Sequence, residues 1–186
     1  MLFAPELFAA VSGLSPPTDA GGRVLHGWQD PVRRLDRADL LTVAALAGPV
    51  DGAAVELALA CDLRILSLDA RLTVTDVVGG RVPALGGLAR LRALAGPSRA
   101  LELALTGRTV AADEAVGLGL ATLAVPPGEL LDAADDLAAA LLTAPRPAAV
   151  EAKALLRSLE GPLETEGEHL AAAAAAARRL AAGEPG

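Results

Sequence analysis

An alternation of short apolar segments between residues 40 and 75 limits this chain to folds that interleave strands with helices. LLTVAALAG (40–48) ends at Gly-Pro and predicts a buried strand. AAVELALAC, which follows Gly52, is apolar nearly all round and predicts a buried helix. LRIL (63–66) and RLTVT (71–75) predict two further strands. Strands that alternate with helices in this way are typical of an α/β core.

The second half of the chain changes to helical patterning. A strand, ATLAVP, ends at Pro126, and helical spacing then predicts three helices, over about 128–143, 147–159 and 163–182. Residues 1–39, which are interrupted by Pro and Gly, predict loops with short helices. We therefore expect an α/β core over residues 1–127 and a C-terminal helical region over 128–186.

The charge and the reactive residues exclude several classes of function. A formal net charge of −7 argues against nucleic acid or an anionic membrane surface as the main partner. Cys61 is the only cysteine, and His26 and His169 lie far apart in sequence, so we predict neither a disulfide framework nor a metal site. No signal peptide or membrane-spanning apolar run is evident. We therefore expect a cytoplasmic protein.

Glu56 is a carboxylate in the middle of an otherwise apolar helix, where an unpaired charge would be costly. The helix begins near Gly52, so the amides of Ala53 and Ala54 are among the N–H groups that have no partner within the helix. Such an amide can polarise a carbonyl group while a carboxylate one turn away moves a proton. The pattern favours chemistry on a carbonyl compound, and a capping or paired structural carboxylate is the alternative.

Asp76 is a second candidate acid, because it lies at the end of the strand RLTVT and precedes a Gly-rich loop. Acids at strand ends of α/β folds often face the ligand crevice, although such acids also cap turns. We interpret Asp51 as a helix cap, Asp62 as structural and Cys61 as a core residue. For the three arginines near the Gly-rich loop we favour a solvated face or a subunit contact over phosphate binding; these are Arg81, Arg90 and Arg92.

Three segments together resemble one family. LTVAALAGPVDGAAVELALACDLRILSLDARLTV resembles the central signature of the enoyl-CoA hydratase/isomerase (crotonase) family. GGRVPALGGLARLRALAGPSRALELALTGRTVAADEAVGLGLATLAVPPGEL is similar to its Gly-x-x-Pro-x-x-Gly-Gly loop and following helices, and AAVEAKALL is similar to its C-terminal helical region. The similarity covers about residues 40–160. It implies a ClpP/crotonase-like α/β fold, a spiral of β-β-α units with a C-terminal helical region.

The resemblance also implies roles for individual residues. Glu56 matches the first catalytic glutamate of the family, and Asp76 matches the second catalytic acid, which is usually Glu in hydratases. Ala53 matches the residue whose backbone N–H forms half of the oxyanion hole. FAPELFA (3–9) is similar to the segment that supplies the other donor, which would be the N–H of Leu7. The implied substrate-pocket positions are Gly52, Ala54, Gly80 and Pro83.

The activity that the resemblance implies is that of an enoyl-CoA hydratase, a lyase of fatty acid metabolism that adds water to an α,β-unsaturated CoA thioester. Its partner would be the acyl-CoA thioester, and it would need no cofactor beyond the coenzyme A of the substrate. The alternatives are an enoyl-CoA isomerase, which can work with the second acid alone, and a non-catalytic member of the family.

The non-catalytic alternative arises because the opening strands of the family, which carry part of the coenzyme A contact surface, have no counterpart in the sequence. A protease of the related ClpP-like fold is disfavoured, because Ala53 and Ala54 stand where a nucleophilic serine would be needed. The resemblance further implies a homo-trimer, or a hexamer of paired trimers, with the C-terminal helices covering neighbouring subunits.

Overall fold

The computed structural model describes residues 8–10, 32, 34–35, 39–80, 83 and 85–158. In chain order, its strands and helices are β1 (Phe8–Ala10), β2 (Val43–Leu46), β3 (Pro49–Asp51), α1 (Ala53–Ala60), β4 (Leu63–Ser67), β5 (Arg71–Thr73), α2 (Gly87–Ala95), α3 (Pro97–Thr106), β6 (Thr109–Ala111), α4 (Ala112–Gly117), β7 (Leu123–Val125), α5 (Leu130–Leu141) and α6 (Arg146–Ser158).

These residues divide into two compact units. The first contains the described residues up to 136, except residues 39 and 40, which belong with residues 137–158 in the second. The division at 127/128 between a core and an oligomerisation region stays a prediction.

Two sheets organise the first unit. Strands β1, β2, β4 and β7 form a parallel sheet in that order, and β3, β5 and β6 form a second sheet. In the second sheet β3 is parallel to β5, and β5 is antiparallel to β6. The chain passes from β2 in the first sheet to β3 in the second and then to α1. It repeats the order with β4, β5 and α2, which confirms the predicted spiral of β-β-α units.

Three short strands were not predicted from the sequence. One of them, β1, lies in residues 1–39, which were expected to form loops with short helices, and it is held as a strand by pairing with β2. The segment expected as one strand over 40–48 contains β2, and the chain then turns at Gly48 and enters β3 at Pro49. Pro49 is tolerated because β3 lies at the edge of its sheet, where a missing N–H leaves no ladder bond unmade. Strands β3 and β6 have three residues each, which is too few to show a period of two in the sequence.

Helix α1 is buried on nearly all sides, as its composition predicts. Six of its eight residues are buried, and its apolar side chains join the inward faces of β2 and β4 in the main core. That core includes Ala44, Leu46, Val55, Leu59 and Leu66. Because α1 lies inside the protein, any polar side chain that it carries must find its partners within the structure.

Asp62 holds the turn after α1 against the start of β2. Its Oδ2 accepts hydrogen bonds from the N–H (2.8 Å) and Oγ1 (2.9 Å) of Thr42. The Asp62 N–H in turn donates to Thr42 Oγ1 at 2.9 Å. Cys61 is buried beside it. The structural interpretation of Asp62 and Cys61 is therefore confirmed.

Helix α5 falls within the predicted segment 128–143, and helix α6 begins one residue before the predicted segment 147–159. The helix predicted over 163–182 lies outside the described residues. In the second unit the buried Lys153 donates from Nζ to the carbonyl oxygen of Leu40 at 2.5 Å. This contact lies within the second unit and joins α6 to Leu40. Among the helices that the structure describes, none is long and apolar enough to cross a membrane.

Arg108 joins α3 to α4 through two carboxylates. Its Nε donates to Glu102 Oε1 at 2.6 Å, and its Nη2 donates to Glu114 Oε1 at 2.7 Å. These hydrogen bonds are the main reason that the pKa of Glu102 and the pKa of Glu114 both lie below the ordinary value of 4.5. A lowered carboxyl pKa stabilises the folded state at neutral pH, and that contribution is lost as the pH falls below 4.5 through the folded-state pKa.

We expect Arg108→Met to lower the urea midpoint at pH 7 relative to the unaltered protein, and the difference to shrink by pH 3. Urea unfolding followed by circular dichroism at both pH values measures this. Arg92→Met, at an exposed position, is the control and should show little change at either pH. A deficit of Arg108→Met that is equally large at pH 3 would show that the two ion pairs are not its source.

Candidate active site

Glu56 lies in the buried helix α1 and is 5% exposed. Its Oε2 accepts hydrogen bonds from the backbone N–H groups of Leu85 and Gly87, both at 2.8 Å. These donors stand at the start of α2, where the N–H groups lack helical partners and the helix dipole stabilises a negative charge. The carboxylate therefore interacts with the start of another helix, and a structural contact and a candidate catalytic position coincide in one residue.

Two glycines at the start of α2 make this contact possible. A Cβ on Gly87 would lie 2.5 Å from Glu56 Cγ and 2.9 Å from Glu56 Oε2, so only glycine leaves the carboxylate its place. Gly86, the residue before the helix, has a φ of +86°, which disfavours any other residue. The Gly-Gly pair of the sequence motif thus has a specific function: it lets α2 begin directly against Glu56.

Arg90 reaches back from α2 to the same segment. Its Nη1 donates to the carbonyl oxygen of Leu85 at 2.7 Å, and the residue is only partly exposed. Arg92 is exposed, as expected for a solvated face, and Arg81 lies outside the described residues. For Arg90, which is partly exposed and also bonds the backbone before α2, a solvated face or a subunit contact stays a prediction. The sequence feature that could have indicated the contact between Arg90 and Leu85 is the position of Arg90, one helical turn beyond the Gly-Gly pair.

The start of α1 offers backbone N–H groups close to this carboxylate in sequence. The carbonyl of Gly52 accepts from Val55 N (3.1 Å) and Glu56 N (3.3 Å), which closes the first turn. Within the described part of the chain, the N–H groups of Ala53 and Ala54 donate to no other residue.

The capping role predicted for Asp51 is wrong, because Asp51 is an exposed residue of β3 and no side chain caps α1.

Asp76 lies against the start of α1. It follows β5 and is half-buried, and a Cβ on Gly52 would lie 3.9 Å from Asp76 Oδ2. The same Cβ would lie 3.3 Å from Thr75 Oγ1, so the two segments pack closely here. The structure thus brings Asp76 to the end of α1 that carries the two N–H groups, with Glu56 one turn further along the same helix.

Three of the other four predicted site positions lie in the part of the chain that the structure describes. Ala54 is buried and belongs to the main core. Gly80 is exposed in the turn after Asp76, and Pro83 is half-buried. Leu7 lies outside the described residues. No cluster of three His, Cys, Asp or Glu side chains that could hold a metal ion occurs in the described ranges.

A family model for enoyl-CoA hydratase/isomerase matches residues 15–176 of the chain. The chain belongs to the enoyl-CoA hydratase/isomerase family. Among similar proteins is the probable enoyl-CoA hydratase EchA17 of Mycobacterium tuberculosis H37Rv, with 42% identity over 136 residues, 73% of this chain and 51% of that protein. The short-chain-enoyl-CoA hydratase of Clostridium acetobutylicum is 34% identical over 72% of this chain and 51% of its own length. The chain thus spans about half the length of these relatives.

Solved structures of the enoyl-CoA hydratase/isomerase family match the fold as well. A candidate enoyl-CoA hydratase from Thermobifida fusca YX in complex with CoA has a TM-score of 0.81 and 40% identity, over 89% of this chain and 64% of that chain. A monofunctional enoyl CoA isomerase from M. smegmatis has a TM-score of 0.69 and 34% identity, over 79% of this chain and 68% of that chain. These likenesses confirm the crotonase fold.

Proposed function

We propose that this member of the family is an acyl-CoA enzyme that adds water to an α,β-unsaturated CoA thioester. The observation that carries the proposal is the buried carboxylate of Glu56, held at the start of α2 and one turn from the N–H groups at the start of α1. The likeness to a Thermobifida fusca protein in complex with acetoacetyl-CoA supports the substrate class.

In the proposed reaction the N–H of Ala53 donates to the thioester oxygen, with the N–H of Leu7 as the second donor that the family resemblance implies. Glu56 and Asp76 share the proton transfers. A carboxylate takes a proton from water while the water oxygen bonds to the β-carbon, and the π electrons move toward the thioester oxygen as an enolate. The enolate then collapses as its α-carbon receives a proton from a protonated carboxyl group of this pair, and the proton taken from water restores the starting protonation of the two acids. One water is added, and no cofactor beyond the substrate's coenzyme A takes part.

An enoyl-CoA isomerase is the second candidate, supported by the likeness to the M. smegmatis isomerase. An isomerase moves a proton between two carbons of the acyl chain without adding water. In that reaction Asp76 would act alone, and Glu56 would keep only its structural contact with α2.

We also propose that the protein is cytoplasmic and forms a homo-trimer or a hexamer of paired trimers. In this arrangement residues 128–186 lie between subunits. Analytical ultracentrifugation of the purified protein tests the assembly, and a monomer would contradict it.

The first experiment mixes the purified protein with 2-enoyl-CoA thioesters of several chain lengths and follows the loss of the conjugated enoyl-thioester absorbance. The expected result is turnover of at least one substrate to the 3-hydroxyacyl product. In parallel, 3-enoyl-CoA thioesters test isomerisation, which would increase the same absorbance. Isomerisation without hydration would favour the second candidate, and the absence of both reactions would favour a non-catalytic role.

A further inference from the structure

We infer that Arg90 is a positioning residue for Glu56 and acts through the peptide group of Leu85. The inference rests on the proposed function of Glu56, because it assigns Arg90 the task of keeping that carboxylate in its working place. The link between Arg90 and Glu56 runs through the backbone before α2, because the carbonyl oxygen of Leu85 accepts from Arg90 and the N–H of Leu85 donates to Glu56.

Both backbone polar groups of Leu85 make hydrogen bonds to side chains. Its N–H donates to Glu56 Oε2 at 2.8 Å, and its carbonyl oxygen accepts from Arg90 Nη1 at 2.7 Å. The Leu85 side chain is 4% exposed and belongs to a small apolar cluster with Ala60, against which Ala53 and Leu57 of α1 also pack. Because Leu85 is held by α1 on one side and by Arg90 on the other, movement of Arg90 would be transmitted to the N–H that holds Glu56.

The two glycines make room for the two long side chains. A Cβ on Gly86 would lie 2.7 Å from Arg90 Nη1, just as a Cβ on Gly87 would lie 2.5 Å from Glu56 Cγ. The same pair that admits Glu56 therefore admits the guanidinium. Glycine also leaves the backbone flexible, and Gly86, the residue before α2, has no side chain with which to cap the helix. A charged donor on the Leu85 carbonyl supplies the rigidity that this segment lacks in its own sequence.

Arginine suits this task better than lysine. Its planar guanidinium holds several donors in a fixed geometry, whereas a lysine ammonium is a single point on a flexible stem. Arg90→Met removes the donor and keeps much of the apolar length, and Arg90→Lys keeps the charge. Arg92→Met is the matched control, since Arg92 lies on the same helix and is exposed.

The kinetic test compares kcat and KM of these variants on an enoyl-CoA that the unaltered protein hydrates. Since a misplacement of 1 Å can cost about 100-fold in rate, we expect Arg90→Met to lower kcat by about 10- to 100-fold, with little change in KM. Arg90→Lys should recover part of the loss, and Arg92→Met should match the unaltered protein. A kcat for Arg90→Met equal to that of Arg92→Met would overturn the inference.

A second readout does not depend on turnover. In ¹H–¹⁵N correlation spectra the amide signals of Leu85 and Gly87 report the hydrogen bonds to Glu56, and Glu56→Gln identifies the sensitive shifts. Arg90→Met should move both signals, Arg90→Lys should move them less, and Arg92→Met should leave them in place. Unmoved signals in Arg90→Met would refute the positioning role even if no enoyl-CoA is hydrated.

The kinetic test and the amide signals together distinguish a failure of the proposed function from a failure of the inference about Arg90. Moved signals in a protein that does not turn over any substrate would refute the proposed function while leaving the contact between Arg90 and the Glu56 site intact. If Arg90→Met does not fold, the milder Arg90→Lys gives the same comparisons, and unchanged signals with an unchanged kcat in that variant would overturn the inference.

Discussion

Replacement of Glu56 by glutamine is expected to lower kcat for enoyl-CoA hydration by about 10²- to 10⁴-fold, the usual contribution of a positioned acid or base. A carboxamide has nearly the same shape as the carboxylate but cannot take up or release the proton. Its oxygen can still accept hydrogen bonds from the N–H groups of Leu85 and Gly87, now 2.8 Å from Glu56 Oε2. The variant should therefore fold, and the loss should appear in kcat more than in KM.

Glu151→Gln is the matched control, because Glu151 is also a buried glutamate, 7% exposed, and belongs to the second unit. Steady-state rates and thermal unfolding measured for both variants separate chemistry from stability. We expect Glu151→Gln to keep kcat whatever it does to stability. If Glu56→Gln retained hydration within a factor of about three, Glu56 would be a structural residue and the proposed mechanism would be wrong.

The same variant also distinguishes the two candidate activities. A hydratase needs a carboxylate to activate water, so hydration should fall by the same large factor in Glu56→Gln. An isomerase that uses Asp76 alone would keep its activity in Glu56→Gln and lose it in Asp76→Asn. Rates of hydration and of 3-enoyl isomerisation, measured on both variants, therefore assign the reaction from its dependence on each acid.

The sequence predicted Glu56 as a candidate functional residue for a physical reason that also holds in the folded protein. A carboxylate in a helix that is apolar nearly all round needs internal partners, and the start of α2 supplies two N–H groups for it. The partner itself could not be predicted, because Leu85 and Gly87 meet Glu56 only when two helices approach in the folded state. Local periodicity describes one element at a time and contains no distance between elements.

Arg90 and the short strands β3 and β6 also depend on contacts between elements, which a sequence pattern does not contain. The contact of Arg90 with Leu85 could not be predicted, because charged residues are mostly exposed and only the folded backbone shows a carbonyl oxygen within reach of its side chain. Strands β3 and β6 are stabilised by pairing with β5 rather than by their own composition. Asp51 precedes a helix in sequence, but it belongs to the edge strand β3 and therefore does not cap α1.

Gly87→Ala should be the most damaging single-methyl substitution at the site. The added Cβ would lie 2.5 Å from Glu56 Cγ and 3.1 Å from Glu56 Cδ, so the carboxylate or the start of α2 must shift. A shift of about 1 Å would lower kcat by about 100-fold. Overpacking of this buried contact should also lower the free energy of unfolding by about 1–3 kcal/mol.

Gly117→Ala provides the comparison for this change, since it adds the same methyl group to a helical glycine with nothing within 4 Å of the new Cβ. We expect it to leave kcat unchanged and to raise the free energy of unfolding by about 0.4–1 kcal/mol, because alanine restricts the unfolded chain. Urea unfolding and initial rates on both variants test the pair. A Gly87→Ala protein as active as Gly117→Ala would mean that Glu56 can leave its place at α2 without consequence, and the carboxylate held there would then have no part in the chemistry.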